Sequence, residues 1–362
     1  MRLKPQTKTN LAIAFESSCD DTCVAISRGS SNSMRCREIK LSHSSLNRSF
    51  GGVYPHLTSS CHEVSFIKIL KKFINVKTQK SSIGKIYYTA GPGQHQSLQK
   101  SMSIAKVASC ILGAEIYGIH HMEGHIFSAA NIPINKFPFL SVLISGGHTL
   151  LVLVESMENY TVLSKSLDDN IGEVYDKIAR SLPIDLRGLA INGTIVEKLA
   201  RSCNCGDIST FSIMKSDQTP DFSFSGLKTS ILQAIIKSKH DSDQIIRIVC
   251  KFQRTIENVL KEKILQAIET LDKLGVHVEF ISVGGGASSN SGIRKAIEHL
   301  AISKNLRAYF PEKTLATDNA IMILKAGARK ERGSNSVFYP IPEFPLGFLK
   351  DDDYALDGYR EI

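Results

Sequence analysis

FLSVLISGGHTLLVLV, residues Phe139 to Val154, holds two apolar runs around the polar centre Ser145-Gly146-Gly147-His148. The uncharged stretch that holds it runs from Phe137 to Val154, long enough to be tested as a membrane span. A spanning helix wants about 20 mostly apolar residues, whereas this stretch contains Pro138 and breaks at its polar centre. It reads as a buried hairpin with a small, polar turn. The chain opens in the same way: apolar runs at 11–15 and 22–27 flank the polar loop 16–21.

Helix and strand signals alternate after each hairpin. In the first half, apolar spacing over 61–75 predicts a helix, with Val64, Ile67, Leu70 and Phe73 among its apolar positions. A strand follows at 85–89, then the breakers Ala90-Gly91-Pro92-Gly93, a helix at 97–112 and a strand at 116–119. The next helix holds His121 and His125. In the second half, helices are expected at 172–182, 194–201, 227–237 and 244–274, and a strand at 278–283 before Gly284-Gly285-Gly286. A last helix is expected near Asp318. Two hairpin-opened α/β halves predict a duplicated fold with a ligand between its lobes. No repeat is detectable at residue level.

Composition agrees with an ordinary globular chain of about two domains: 362 residues, 42% apolar and 22% charged. Disorder, collagen and coiled coil are excluded on these figures. The N-terminus lacks the apolar core of a secretory signal. None of the eight Cys forms a Cys-x-x-Cys pair, so they read as free thiols, with Cys203 and Cys205 in a polar loop. Lys plus Arg outnumber Asp plus Glu by 44 to 35, a net charge of +9 that suits a polyanionic partner. Between Glu63 and Lys106 lie eight Lys and a single acid, which reads as a phosphate-binding surface or simply a solvated face.

Chemistry concentrates in a few places. His121 and His125 are four apart, about 40° from one another on a helix, the spacing by which one helix offers two imidazoles to a metal. Two core histidines remain the plain alternative. Glu123 falls about 200° from His121, so the zinc-protease arrangement lacks its general base. Gly284 to Asn290, after a buried-looking strand and opening a helix, can present N–H donors to a nucleotide, Gly285 included. It is neither a Walker loop nor a dinucleotide fingerprint. Ser145-Gly146-Gly147-His148 is a weaker signal of the same kind. Asp168, Asp169, Glu173 and Asp176 cluster near one helix start, where the helix dipole alone favours acids.

In order along the chain stand FESSCDDT (15–22), GGVYPHLTSSCH (51–62), AGPG (90–93), HHMEGH (120–125) and LISGGHT (143–149). GEVYDK (172–177), DFSFSGLKT (221–229), GGGASSN (284–290) and ATDNAIMI (316–323) follow. This series resembles the TsaD-type tRNA N6-adenosine threonylcarbamoyltransferase family, once labelled sialoglycoprotein endopeptidases. The resemblance implies a two-lobed actin-like ATPase fold (ASKHA), an α/β architecture of duplicated ribonuclease-H-like domains with a ligand cleft between them. The expected boundaries are a basic extension at 1–10, lobes at 11–136 and 137–317, a helix at 318–340 packing back on the first lobe, and a tail at 341–362.

The resemblance further implies one divalent metal ion, zinc or iron first and magnesium as a further candidate, on His121, His125 and Asp318. It implies ligand contacts at Leu143, Ile144, Ser145, Gly146 and Gly147, and ribose or base contacts at Asp176, Gly193, Glu197 and Asn290. The implied reaction moves a threonylcarbamoyl group from threonylcarbamoyl-AMP, made by a separate synthase, to N6 of the adenosine 3′ to the anticodon in tRNAs reading A-starting codons. AMP leaves, and Asp20 or Asp21 is expected either to take the proton from the incoming amine or to position the metal without ligating it. The alternatives are an ATP-binding scaffold of the same fold without transfer activity, and a zinc glycoprotease. HHMEGH and DFSFSGLKT resemble the bacterial and mitochondrial branch. The basic pI and the Leu356-Asp357-Gly358 tail point to the mitochondrial matrix, with the bacterial cytoplasm as the other expectation; the resemblance to mitochondrial members implies a homodimer, and no membrane insertion is expected. The chain departs from the pattern at Gln94-His95-Gln96-Ser97, Lys100-Ser101, His56, Ser60 and Asn192-Gly193-Thr194.

Overall fold

β1 (Leu11–Glu16) and β2 (Asp21–Arg28) form the first antiparallel hairpin in the computed structural model, paired from Leu11 with Arg28 to Glu16 with Cys23. The structure describes residues 11–29, 34–43, 54–75, 83–133, 136–188, 192–203, 209–211, 220–239, 241–329 and 340–346. The expected extension at 1–10, Gly51 and Gly52, Cys205, the 330–339 part of the expected last helix and the tail beyond 346 lie outside them. So does Asn135, at the expected lobe boundary.

The chain divides into two compact units. The first comprises 1–128, 157–159 and 318–362; the second comprises 129–156 and 160–317. In the first, β3 (Arg35–Ser42) extends the hairpin antiparallel to β2, while β4 (Ile83–Gly91) and β5 (Glu115–His120) add parallel on the other side of β1. The order is β3-β2-β1-β4-β5. Parallel neighbours need crossover connections, supplied by α1 (Pro55–Asn75) between β3 and β4 and α2 (His95–Leu112) between β4 and β5. The proline at the first position of α1 carries no N–H and starts the helix six residues before the apolar spacing announces it. α3 (His121–Ile126) follows β5 directly, and α10 (Ala320–Gly327) packs against β1, β2 and α3. Phe15, Val24, Phe66, Ile69, Ile86 and Tyr88 are central to the core of this unit.

The second unit repeats the pattern. β6 (Phe139–Ile144), β7 (Thr149–Val154) and β8 (Tyr160–Lys165) form an antiparallel meander, and β9 (Ile281–Gly284) and β10 (Ala308–Tyr309) add parallel beside β6. α4 (Ile171–Ser181), α5 (Ile184–Arg187), α6 (Thr194–Ser202), α7 (Ser225–Lys237) and α8 (Ser242–Lys273) lie between β8 and β9, and α9 (Ser291–Ser303) lies between β9 and β10. α8 buries Ile245, Val249, Phe252, Ile256, Leu260, Ile264, Ile268 and Leu271, a stripe at steps of three and four. The duplicated α/β class expected from the two hairpins is therefore the fold. No helix among the described residues is long and apolar enough to cross a membrane; Phe139 to Val154 is two buried strands.

Candidate metal centre and ligand pocket

The histidine-rich turn belongs to the first unit. His120 ends β5 and caps α3: its Nδ1 accepts the Met122 N–H and its Nε2 donates to the Phe344 carbonyl at 2.8 Å. Both nitrogens are thereby used. His121 and His125 are buried one turn apart on α3, with ring centroids 4.7 Å apart. Asp318 brings Oδ1 to 3.2 Å from His125 Nε2 and 3.6 Å from His121 Nε2. The sequence placed a helix start near Asp318; instead Asn319 is the N-cap, accepting the Met322 N–H at 2.8 Å, and Asp318 stands outside the helix facing the histidines.

Ligand atoms of His121, His125 and Asp318 lie within 4.8 Å of one another. Both ring nitrogens of His125 are buried without a hydrogen bond of good geometry. Buried polar atoms normally find partners, and a divalent cation at this spot would supply them. The electrostatics agree. Burial opposes a charge on His121, but Asp318 and Glu16 outweigh it and raise its pKa to about 9. Burial likewise works against the Asp318 carboxylate, yet His121 and His125 hold it well below the ordinary carboxylate range. The site is built for positive charge. Glu123 is not part of the cluster, in keeping with the absence of a protease geometry.

The loop 17–20 lies beside this cluster. Glu16, at the end of β1, accepts the Ser18 N–H at 2.6 Å and the Thr89 hydroxyl, and it faces His121 Nδ1 at 3.4 Å. Asp21 pairs with Lys40 at 2.6 Å, and Lys40 also donates to the Asp318 carbonyl at 2.8 Å. The Asp20 carbonyl accepts the His43 N–H at 3.1 Å. Burial first, then the charges of Asp20, Asp318, Asp21 and Glu16, push the Cys19 thiol far up, which favours the neutral thiol over the thiolate. The altered segment after Gly91-Pro92-Gly93 is well anchored: Gln94 N–H donates to Ser18 O at 2.8 Å and Gly93 N–H to Pro342 O at 3.1 Å.

The second unit holds a pocket of about 260 Å³. Of the residues expected there, Gly146, Asp176, Gly193, Glu197 and Asn290 line it. Leu143 and Ile144 have side chains buried in β6, and Ser145, Gly147 and Gly285 do not line it. Gly285 serves packing: at φ +88° a Cβ there would meet the Ile144 carbonyl oxygen at 2.5 Å. Sequence reading missed Gly172, Tyr175 and Thr317 as lining residues, and Gln253 behind the wall. A Cβ at Gly172 would stand 2.7 Å from Gly146 N, so the helix start meets the β6–β7 turn backbone to backbone.

Asn290 caps α9 by accepting the N–H groups of Gly292 and Ile293, and exchanges two 3.0 Å bonds with the Gln253 amide. Tyr175 OH donates to Gln253 at 2.7 Å. The Asn290 carboxamide is thus committed inside the unit and shapes the pocket wall. Asp176 accepts the Gly193 N–H at 2.8 Å, and burial, its largest influence, raises its pKa. The other acids of the expected cluster have structural work. Asp168 gathers Ser223, Ser225 and the Phe224 N–H, while Asp169 pairs with Lys177 and Lys228. This explains the DFSFSGLKT motif as a latch.

Comparison with known proteins bears on both sites. A family model described as "TsaD: tRNA N6-adenosine threonylcarbamoyltransferase" matches residues 36–325. A protein of that description from Nostoc punctiforme is 32% identical over 87% of this chain and 90% of its own length. One from Thermosipho africanus is 31% identical over 93% of this chain and its full length. Among solved structures, HypF of T. kodakarensis is similar with a TM-score of 0.56 at 14% identity, over 90% of this chain and 48% of that one. At that identity the likeness is one of fold alone, and this chain spans about half of that protein.

Proposed function

The chain belongs to the TsaD family of tRNA N6-adenosine threonylcarbamoyltransferases, and from that premise we propose how its two sites divide the work. The family's activity is an acyl transfer that consumes threonylcarbamoyl-AMP and modifies tRNA. The pocket of the second unit holds the adenylate, with Asp176 and Glu197 as carboxylates for the ribose hydroxyls and the Gly146 and Gly286 backbones open to phosphate. His121, His125 and Asp318 hold the metal. Their two-imidazole, one-carboxylate set suits zinc or iron better than magnesium, which prefers oxygen. A bound ion supplies Lewis acidity at a phosphate or carbonyl oxygen.

N6 of the target adenosine attacks the carbamoyl carbon. A C–N bond forms, the bond from that carbon to the phosphate oxygen breaks, and AMP leaves with the electron pair. The amine proton passes to a base, which we assign to the Asp20–Asp21 pair; Lys40 fixes the Asp21 carboxylate in place at 2.6 Å. The tRNAs are those reading A-starting codons, the adenylate comes from a separate synthase, and the active form is a homodimer.

The observation that carries this reading is the His125 ring, buried with both nitrogens lacking hydrogen bonds beside Asp318. The test is reconstitution with tRNA, threonine, bicarbonate, ATP, divalent metal and an adenylate-forming synthase, followed by mass analysis of tRNA nucleosides. Wild type is expected to form threonylcarbamoyladenosine and His125→Ala to lose at least about 100-fold in rate, the scale of losing a metal's charge stabilisation. No product from wild type with a verified adenylate supply overturns the reading. It would favour the ATP-binding scaffold instead, which the departure at Gln94-His95-Gln96 motivates.

A further inference from the structure

We propose that Glu16 is a positioning residue of the metal centre, holding His121 in the tautomer and orientation that present Nε2 to a divalent ion. The inference rests on the reading of His121, His125 and Asp318 as metal ligands. Glu16 is the last residue of β1, the central strand, and is only 1% exposed. A carboxylate in such a place needs donors on its oxygens. The Ser18 N–H reaches Oε1, and the Thr89 hydroxyl and His121 Nδ1 reach Oε2.

An ionised carboxylate accepts and cannot donate, so His121 Nδ1 must carry the hydrogen. With Nδ1 holding its hydrogen for Glu16, Nε2 is the nitrogen left to give up a proton to a binding ion, and it is the atom turned toward Asp318 Oδ1 at 3.6 Å. Glu16 thereby determines which nitrogen of His121 ligates, although it contributes no atom to the three-residue cluster. The two histidines are unequal in this respect: Nδ1 of His125 has no such partner. Thr89, from the neighbouring strand β4, fixes the carboxylate in its turn.

The test uses the full-length protein and measures zinc affinity by competition with a chromophoric chelator, together with the visible spectrum of the cobalt(II) form. Glu16→Gln keeps size and shape, and its Oε1 can still accept the Ser18 N–H. Its NH2 then faces His121 Nδ1 and drives the hydrogen to Nε2, the wrong tautomer for binding. Zinc affinity is expected to fall about 10- to 100-fold, the usual scale for removing such a partner, with an altered cobalt spectrum and little change in the melting temperature of the metal-free protein. Thr89→Val should move affinity in the same direction by less. Wild-type affinity in Glu16→Gln, with His125→Ala unable to bind, overturns the role of Glu16 alone. If wild type binds no zinc or cobalt, or His125→Ala binds as wild type does, the metal reading itself fails. Should Glu16→Gln not fold, Thr89→Val decides, and an unchanged zinc affinity overturns the proposal.

Discussion

His62 is a fully buried ring whose protonation state is fixed by its neighbours. Its Nε2 meets the Cys19 carbonyl at 3.0 Å and must donate, so Nδ1 accepts the Thr22 hydroxyl at 2.7 Å; Thr22 in turn accepts from His43 Nε2 at 2.9 Å. These bonds end on the loop that carries Asp20 and Asp21. Burial, outweighing the carbonyl and the nearby carboxylates, lowers the His62 pKa to about 4. The folded state therefore binds fewer protons here than the unfolded state, whose histidine titrates near 6.5. Stability from this group is complete above about pH 6.5 and is lost as pH falls toward 4, by about 3 kcal/mol at full development. His43, also lowered by burial, adds in the same sense. Melting temperature against pH should fall across that window in wild type, and more shallowly in His62→Gln; parallel curves would refute the assignment. Residues of this kind were illegible in the sequence. The spacing of His121 and His125 was readable because one helix carries both, and Asp318 entered only through family resemblance. Glu16, Thr89 and Gln253 act through partners 37 to 105 positions away, and no local pattern encodes such pairings.

At the scale of elements, legibility followed repetition. The α8 stripe repeats over many turns, so its expected span of 244–274 differs from Ser242–Lys273 by two residues or fewer at each end. β3 and β8 were not expected at all. Both are meander strands with mixed exposure, and their polar or charged positions break the apolar run that announces a strand. Yet they complete the two sheets, giving β3-β2-β1-β4-β5 and β10-β9-β6-β7-β8 the same connectivity, three antiparallel strands then two parallel ones. The duplication lives in topology rather than in residues. The paired helices α1 and α2 keep a further feature. Val64 and Ile67 on α1 are 51% and 48% exposed, and Val107 and Ile111 on α2 are 53% and 71% exposed. Apolar pairs at one-turn spacing on packed helices suit burial against a second copy. Ile67→Lys with Ile111→Lys should convert a dimer to a monomer in sedimentation equilibrium while leaving the fold intact by circular dichroism. A wild-type monomer at micromolar concentration, or an undisturbed dimer in the variant, would remove α1 and α2 as the interface.

Across the whole molecule, the +9 charge asks where a polyanion binds, and the structure redistributes the answer. In the lysine block after Glu63, Lys68, Lys71 and Lys72 are exposed on α1, while two other lysines are engaged. Lys100 pairs with Glu63 at 2.7 Å, Lys85 lies over the Tyr117 ring, and Lys68 and Lys71 follow Val64 and Ile67 by one turn, beside the exposed apolar pair. Lys77 and Lys80 fall outside the described residues. The β2–β3 hairpin differs. Arg28 stands directly across from Arg35, Arg37 follows on the same face, all three are exposed, and no Asp or Glu occurs between residues 22 and 37. Like charges set opposite one another across strands cost stability, and an RNA phosphate backbone would relieve that cost while matching the guanidinium fork. Each phosphate neutralised releases counterions, so these arginines should register in the salt dependence of tRNA binding. Replacing Arg28, Arg35 and Arg37 by Glu is expected to weaken tRNA binding. The slope of log affinity against log salt should shrink by roughly one for each phosphate no longer neutralised. Zinc affinity should not change, since none of the three touches the metal cluster. If slope and affinity both match wild type, the tRNA phosphates are held elsewhere, and charge reversal at Lys68 and Lys72 becomes the comparison that locates them.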